Sequence, residues 1–179
     1  MKYYLLCKNH DNRCCFLENR NSLEFRNDYY DGKLFDLSEP VEVSFNKNIR
    51  NKYLPLKNVL VFWGLSDSFV VDEDTMNLLK SRYGELLKFI KARVIDDESA
   101  ANKIFYILYF CKIISGLDTD KSVIKLKDTD KFVVDENACV SSVFKFEDYI
   151  PLTFADETFK KFVEDNHIEG WTFKEAFEI

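Results

Sequence analysis

Three times this chain runs a short aromatic or β-branched stretch straight into Asp-Glu: Phe69-Val70-Val71-Asp72-Glu73, Phe132-Val133-Val134-Asp135-Glu136 and Thr153-Phe154-Ala155-Asp156-Glu157. The apolar part of each pentad suits a pleated, half-buried strand. The aspartate that ends it is a helix N-cap, and the glutamate sits where the helix dipole favours negative charge. After the first copy, Met76, Leu79 and Tyr83 fall at i, i+3 and i+7, one face of a short helix, with Gly84 placed as its stop. After the third, Phe159, Phe162 and Val163 make a second helical face, followed by Gly170 and a short strand at Trp171-Thr172-Phe173. No helical pattern follows the middle copy. Recurrent strand-to-helix junctions at irregular spacing predict an α+β fold and not a solenoid.

The remaining segments read mostly as strands. Residues 2–8 and 13–17 flank the turn cluster Asn9-His10-Asp11-Asn12 and predict an N-terminal hairpin. Residues 18–56 are polar and irregular, with short apolar pieces at Leu34-Phe35 and at 41–45; Pro40 and Pro55 fit loops or edges. Beyond residue 58 the pattern sharpens, with strands expected at 59–63, 69–71 and 86–94. Residues 103–114 read as strand or helix, with β-branched and aromatic content favouring strand. Residues 122–126 and 131–134 flank Lys127-Asp128-Thr129-Asp130 as a hairpin. Residues 140–146 alternate Val143 and Lys145 against Phe144 and Phe146, as a half-buried strand would. The expected class is therefore α+β, mostly antiparallel sheet with a few short helices. Only five Gly and three Pro occur, singly, so no linker divides the chain. We expect one domain over 1–179, less regular in 1–57 than in 58–179.

A net charge of −6 argues against a nucleic-acid partner, which calls for a basic face. It favours a basic protein partner instead. The five cysteines (Cys7, Cys14, Cys15, Cys111, Cys139) form no disulfide framework and point to a reducing compartment. Residues 1–6 lack the pattern of a secretory signal, and the longest apolar stretch, 104–114, is broken by Lys112 and too short to span a membrane. A cytoplasmic protein without membrane contact is expected.

Signs of chemistry are sparse. There is no nucleophile elbow and no phosphate-cradling glycine loop. Cys7, His10, Cys14 and Cys15 place four potential zinc ligands within nine residues. A hairpin would set Cys7 opposite Cys14 and turn Cys15 to the other face, which favours small apolar thiols in buried strands over a metal site. The acidic groups Asp72-Glu73-Asp74, Asp96-Asp97-Glu98, Asp118 with Asp120, and Glu147-Asp148 read as helix first turns and solvated loops, or as an interaction surface. Trp63 and Trp171 each adjoin a glycine; core packing is the plainer role, and exposure of either would mark an interface anchor. Partner-binding candidates are thus Asp96, Asp97, Glu98, Asp118, Asp120, Trp63 and Trp171. No catalytic, cofactor or metal residues are assigned.

The second half resembles a known family. Its markers are Ser68-Phe69-Val70-Val71-Asp72-Glu73 followed by Leu78-Leu79 and a glycine; Lys103-Ile104-Phe105-Tyr106-Ile107-Leu108 leading into Gly116-Leu117-Asp118-Thr119-Asp120-Lys121-Ser122; and Phe144-Lys145-Phe146, Pro151-Leu152-Thr153-Phe154-Ala155-Asp156-Glu157 and Ile168-Glu169-Gly170-Trp171-Thr172-Phe173. In this order they are similar to the immunity-protein family of bacterial polymorphic-toxin systems, formerly known only as a domain of unknown function. The resemblance spans residues 68–173 and is weak over 1–61. It implies an α+β fold and a protein that neutralises a cognate toxin, often nuclease-like and encoded by the adjacent gene. Asp118, Lys121, Ser122, Gly170 and Phe173 match the motifs as structural positions. Two other classes stay open: a small hydrolase using carboxylates with His10 or His167, and a structural protein that self-associates through strand edges.

Overall fold

The structure, a computed structural model, describes residues 1–9, 11, 13–18, 22–45, 54–63, 65, 68–98, 100, 103–124, 130–138 and 140–179. In chain order its elements are β1 (Lys2–Lys8), β2 (Cys14–Leu17), α1 (Ser22–Tyr30), a 3-10 turn (Lys33–Asp36), β3 (Val41–Ser44), β4 (Val59–Trp63), β5 (Phe69–Asp72), α2 (Glu73–Tyr83), β6 (Leu87–Val94), β7 (Ile104–Phe110), β8 (Ile113–Ile114), β9 (Val143–Phe146), a second 3-10 turn (Glu147–Tyr149), β10 (Phe154–Asp156), α3 (Glu157–Asp165) and β11 (Trp171–Glu178). They make a single-domain α+β fold of two sheets. One is a closed barrel in the order β2-β3-β6-β7-β5-β4; the other has five strands in the order β11-β1-β10-β9-β8. Most pairs are antiparallel; β2–β4, β3–β6 and β8–β9 are parallel. Among the described residues no helix is long and apolar enough to cross a membrane.

Three apolar cores follow from strand alternation. Inside the barrel, Cys15, Val41, Val43, Leu60, Phe62, Val70, Ile90, Ala92, Val94, Phe105 and Ile107 pack together. A barrel this narrow is filled by side chains, and α1 seals it with Phe25 and Tyr29. The Tyr29 hydroxyl donates to Leu108 O at 2.7 Å and accepts from Ser68 Oγ at 2.8 Å, so the phenol enters the core with its polar tip satisfied. The second core lies between the barrel's outer side (Val59, Phe69, Val71, Leu108), one face of the five-stranded sheet (Leu6, Val143, Ala155) and helices α2 and α3. The third covers the other face of that sheet, where Tyr3, Leu5, Phe144, Phe146 and Phe154 meet Ile114, Leu117 and Phe132.

Both capping aspartates behave as their sequence predicts. Asp72 Oδ1 accepts from Thr75 N and Asp156 Oδ1 from Phe159 N, each at 2.8 Å. Met76, Leu79 and Tyr83 are buried on α2, and Phe159 and Val163 on α3. The middle pentad makes only an isolated antiparallel bridge, Leu117↔Val134, and a second bridge, Val123↔Lys131, agrees with the expected 122–134 hairpin. The turn residues 127–129 lie outside the described residues.

Several expectations are corrected. β1 and β2 do not form a hairpin: β1 enters the five-stranded sheet between β10 and β11, while β2 enters the barrel between β3 and β4. The irregular segment after residue 18 contains α1. Its apolar positions make no clean stripe: Phe25 and Tyr29 are buried in the core, Tyr30 is half-buried against it and Leu23 faces solvent. The 103–114 segment is strand, broken after Phe110. β9 is buried on both faces, Lys145 included, because the second and third cores both use it. Gly84 follows α2 in a right-handed conformation with φ −59°; a Cβ there would sit 2.6 Å from Lys80 O, so close backbone approach selects the glycine.

Candidate partner-binding surface

The barrel wall made by β4, β2, β3 and β6 carries exposed apolar and charged groups side by side. Cys15, Val41, Val43, Phe62 and Val94 point inward, so their neighbours Phe16, Glu42, Ser44, Trp63, Arg93 and Ile95 alternate outward. Register lines four of these up. Phe16 is paired with Trp63 on one side and Ser44 on the other. Val43 pairs with Val94, and Ile95 N donates to Val43 O at 3.1 Å, which carries Ile95 to the end of the same row. The row spans three strand spacings, roughly 14 Å. Trp63 is 53% exposed and Ile95 47%. The indole is stacked on the half-buried Phe16 ring, with centroids 6.2 Å apart and planes at 15°. Below it, Lys8 Nζ donates to Phe62 O and Leu65 O at 2.9 and 2.8 Å, fixing the backbone on either side.

The charged groups around the row are held in place. Ser44 Oγ donates to Glu18 Oε1 at 2.6 Å, and Arg93 Nη2 donates to Glu42 Oε1 at 2.6 Å. Asp96 Oδ1 accepts from Phe45 N at 2.8 Å. Asp97 Oδ2 accepts from Arg13 Nη1 at 2.7 Å in a half-buried ion pair, and Arg13 Nε also donates to Leu54 O at 2.8 Å. Asp96 and Asp97 thus fasten the turn after β6 to β2 and β3, while Glu98 is exposed.

The other candidates lie elsewhere. Asp118 caps its own turn: Oδ1 accepts from Lys121 N at 3.0 Å and Oδ2 from Lys121 Nζ at 2.7 Å. The side-chain bond to Lys121 holds its carboxyl below the ordinary carboxylate value. It borders a cleft of about 410 Å³ shared with Gly116, Lys121 and residues 133–136. Asp120 is exposed on the same turn. Trp171 lies in the second core, with ring centroids 5.7 Å from Phe69 and 5.6 Å from Phe159; its Nε1 finds no hydrogen-bond partner among the described residues. The structure therefore sets Trp63 on the outer wall of the barrel and Asp96, Asp97 and Glu98 in the turn after Ile95, and leaves Asp118, Asp120 and Trp171 in other parts of the fold. Phe16 and Ile95 escaped the sequence reading. Ile95 carries a legible signal, an apolar residue at the outward step of the Ile90, Ala92, Val94 alternation.

The cysteine constellation is taken apart by the same topology. Cys7 pairs with Thr172 in the five-stranded sheet, and Cys14 with Val61 in the barrel. Burial pushes the Cys15 thiol well above its ordinary value. Among the described residues no three His, Cys, Asp or Glu side chains group as metal ligands; His10 and Cys139 lie outside the described residues. A second cleft, about 520 Å³, is lined by residues 80–86, Ser142 and Thr158. There the Tyr83 phenol is raised by burial and by the Asp156 charge.

The surface aromatics Phe16 and Trp63 are stacked, and the carboxylates of Asp96, Asp97 and Asp118 are bound to structural partners. Comparison with protein families gives the fold its class: the Immunity protein family (Imm11) matches residues 6–178, and the chain belongs to this family. The match reaches well beyond 68–173, across the N-terminal strands that carry the fewest recognisable motifs. A search of curated proteins found no match.

Proposed function

We propose that this chain is a non-catalytic inhibitor that binds a cognate toxin in the bacterial cytoplasm and blocks it stoichiometrically. The observation that carries this reading is membership of an immunity-protein family over nearly the whole chain. The state of the carboxylates supports it. Asp118, in the smaller cleft, spends one oxygen on the Lys121 amide and the other on its ammonium, and Asp96 and Asp97 are bound to Phe45 N and Arg13. Such groups organise a surface better than they move protons. Net charge of −6 favours a basic toxin and speeds encounter with it, and a stable complex should bury on the order of 1,600 Å² in total.

The test is co-expression with the toxin domain encoded by the neighbouring gene in a polymorphic-toxin locus. The chain should restore growth and co-elute with the toxin at one-to-one stoichiometry. Absence of both rescue and co-elution would sink the proposal, and so would rescue accompanied by turnover of toxin-modified cell components.

A further inference from the structure

We infer that the outer face of the barrel at β4, β2 and β3 is where the toxin docks, with Trp63 as the anchor; this rests on the proposed function. The outer side of the barrel has two fates. Around Val59, Phe69, Val71 and Leu108 it is buried under α2, α3 and the five-stranded sheet. Around Phe16 and Trp63 none of the described helices or strands of the second core packs against it, and Trp63 and Ile95 stay exposed there. Scattered exposed apolar residues call for no explanation. Here, however, Trp63 and Ile95 are aligned by register with a half-buried ring between them and the buried Ser44 alongside.

Two properties favour a protein partner. Trp63 is already stacked on Phe16 and its backbone is pinned by Lys8, so little rotamer freedom is lost when a partner closes over it. Large aromatics of this kind carry much of the binding energy in protein interfaces. The flanking charges select the partner's chemistry. Glu18 and Glu42 lie beside the row, bonded to Ser44 and Arg93, and the turn after Ile95 adds Asp96, Asp97 and the exposed Glu98. The chain as a whole carries −6. The occupant that fits is a basic toxin domain with an apolar recess for the indole, ringed by lysine or arginine that reaches the carboxylates.

The experiment titrates the intact chain with the toxin domain of the neighbouring gene, inactivated by substitution of its own catalytic residue. Trp63→Ala should weaken binding about thirtyfold or more, and adding Ile95→Ser should weaken it further. The control pair Ile113→Ser with Val123→Ser removes comparably exposed apolar groups (44% and 43%) outside the barrel strands and should leave affinity within about twofold. Trp63 emission should shift to the blue on complex formation, and the shift should vanish in Trp63→Phe, which retains only the buried Trp171. All variants should melt near the wild-type temperature, because the altered side chains are exposed. Wild-type affinity in Trp63→Ala, together with no emission shift in the wild-type chain, would overturn the docking face while leaving the inhibitor reading intact. Failure of the wild-type chain to bind at all would remove the inhibitor reading itself. A dimer of the free chain in sedimentation that Trp63→Ala dissolves would assign the face to a second copy and overturn the proposal.

Discussion

Lys145 sits on β9 with 1% of its surface exposed, its ammonium 5.7 Å from the Tyr109 ring centroid and 5.8 Å from that of Phe110. A buried cation against two aromatic faces gains cation–π attraction that partly offsets desolvation. Lys145→Ala should cost about 2–4 kcal/mol in urea titration, through the lost packing and the emptied volume. Lys145→Met, which keeps most of the shape, should recover part of that loss. Cys15 tests burial in a different way. Its thiol is fully enclosed and raised well above the ordinary value of 9.0. The folded state therefore holds the proton more tightly than the unfolded one, so this contribution to stability is fully present below pH 9 and is lost as pH rises above it. Stability should fall with pH in that range, less steeply in Cys15→Ala. Native Cys15 should resist alkylation at pH 8 while Cys7, less buried, reacts first; equal rates would contradict the enclosed thiol. Asp96, Asp97 and Trp63 show how far single residues were legible. Residue type and local charge identify them as surface candidates, but that two aspartates are tethered and one tryptophan is open depends on partners distant in sequence.

At the scale of elements, the two strand-to-helix junctions are separable. Asp72→Ala and Asp156→Ala should each cost about 1 kcal/mol for the lost cap. Asp156 should cost more, because it is 6% exposed and also accepts from Thr158 Oγ1 at 2.6 Å. Thermal unfolding of the two single variants and their asparagine counterparts measures this, with asparagine recovering most of the loss in each. Gly116 has φ +114° and a Cβ there would meet Ala138 Cβ at 2.8 Å, so Gly116→Ala should destabilise by about 1–3 kcal/mol. These junctions were readable because a cap and a helix face are local patterns. The N-terminal hairpin was misread because turn residues between two apolar runs report a change of direction, not which strands will pair. α1 was missed because a helix that inserts two side chains into a barrel mouth needs no continuous stripe.

For the molecule as a whole, β4, β5, β6 and β7 line the first core with one face and the second with the other, and β1, β9 and β10 do the same for the second and third. Cores that share strands should melt together. Circular dichroism and the fluorescence of Trp171 in the Trp63→Phe background should therefore give one coincident transition, and two separated midpoints would contradict the shared-strand architecture. Fold class was legible because strand alternation and caps constrain it. Closure of the barrel was not, since the parallel pairs β2–β4 and β3–β6 join segments that no short sequence window connects.

The position of β1 bears on how the polypeptide emerges during synthesis. β1 is the inner neighbour of β11, a strand far later in sequence, and is seated between β10 and β11. While the ribosome works through the middle of the message, β1 has both edges unpaired, a template for intermolecular pairing. The barrel strands β2 to β7 are complete well before then and have their own interior to collapse upon. A nascent chain halted before β10 should accordingly protect the barrel from protease yet leave the amino-terminal strand open to cleavage, and final docking should be the slow, late step expected of so distant a contact.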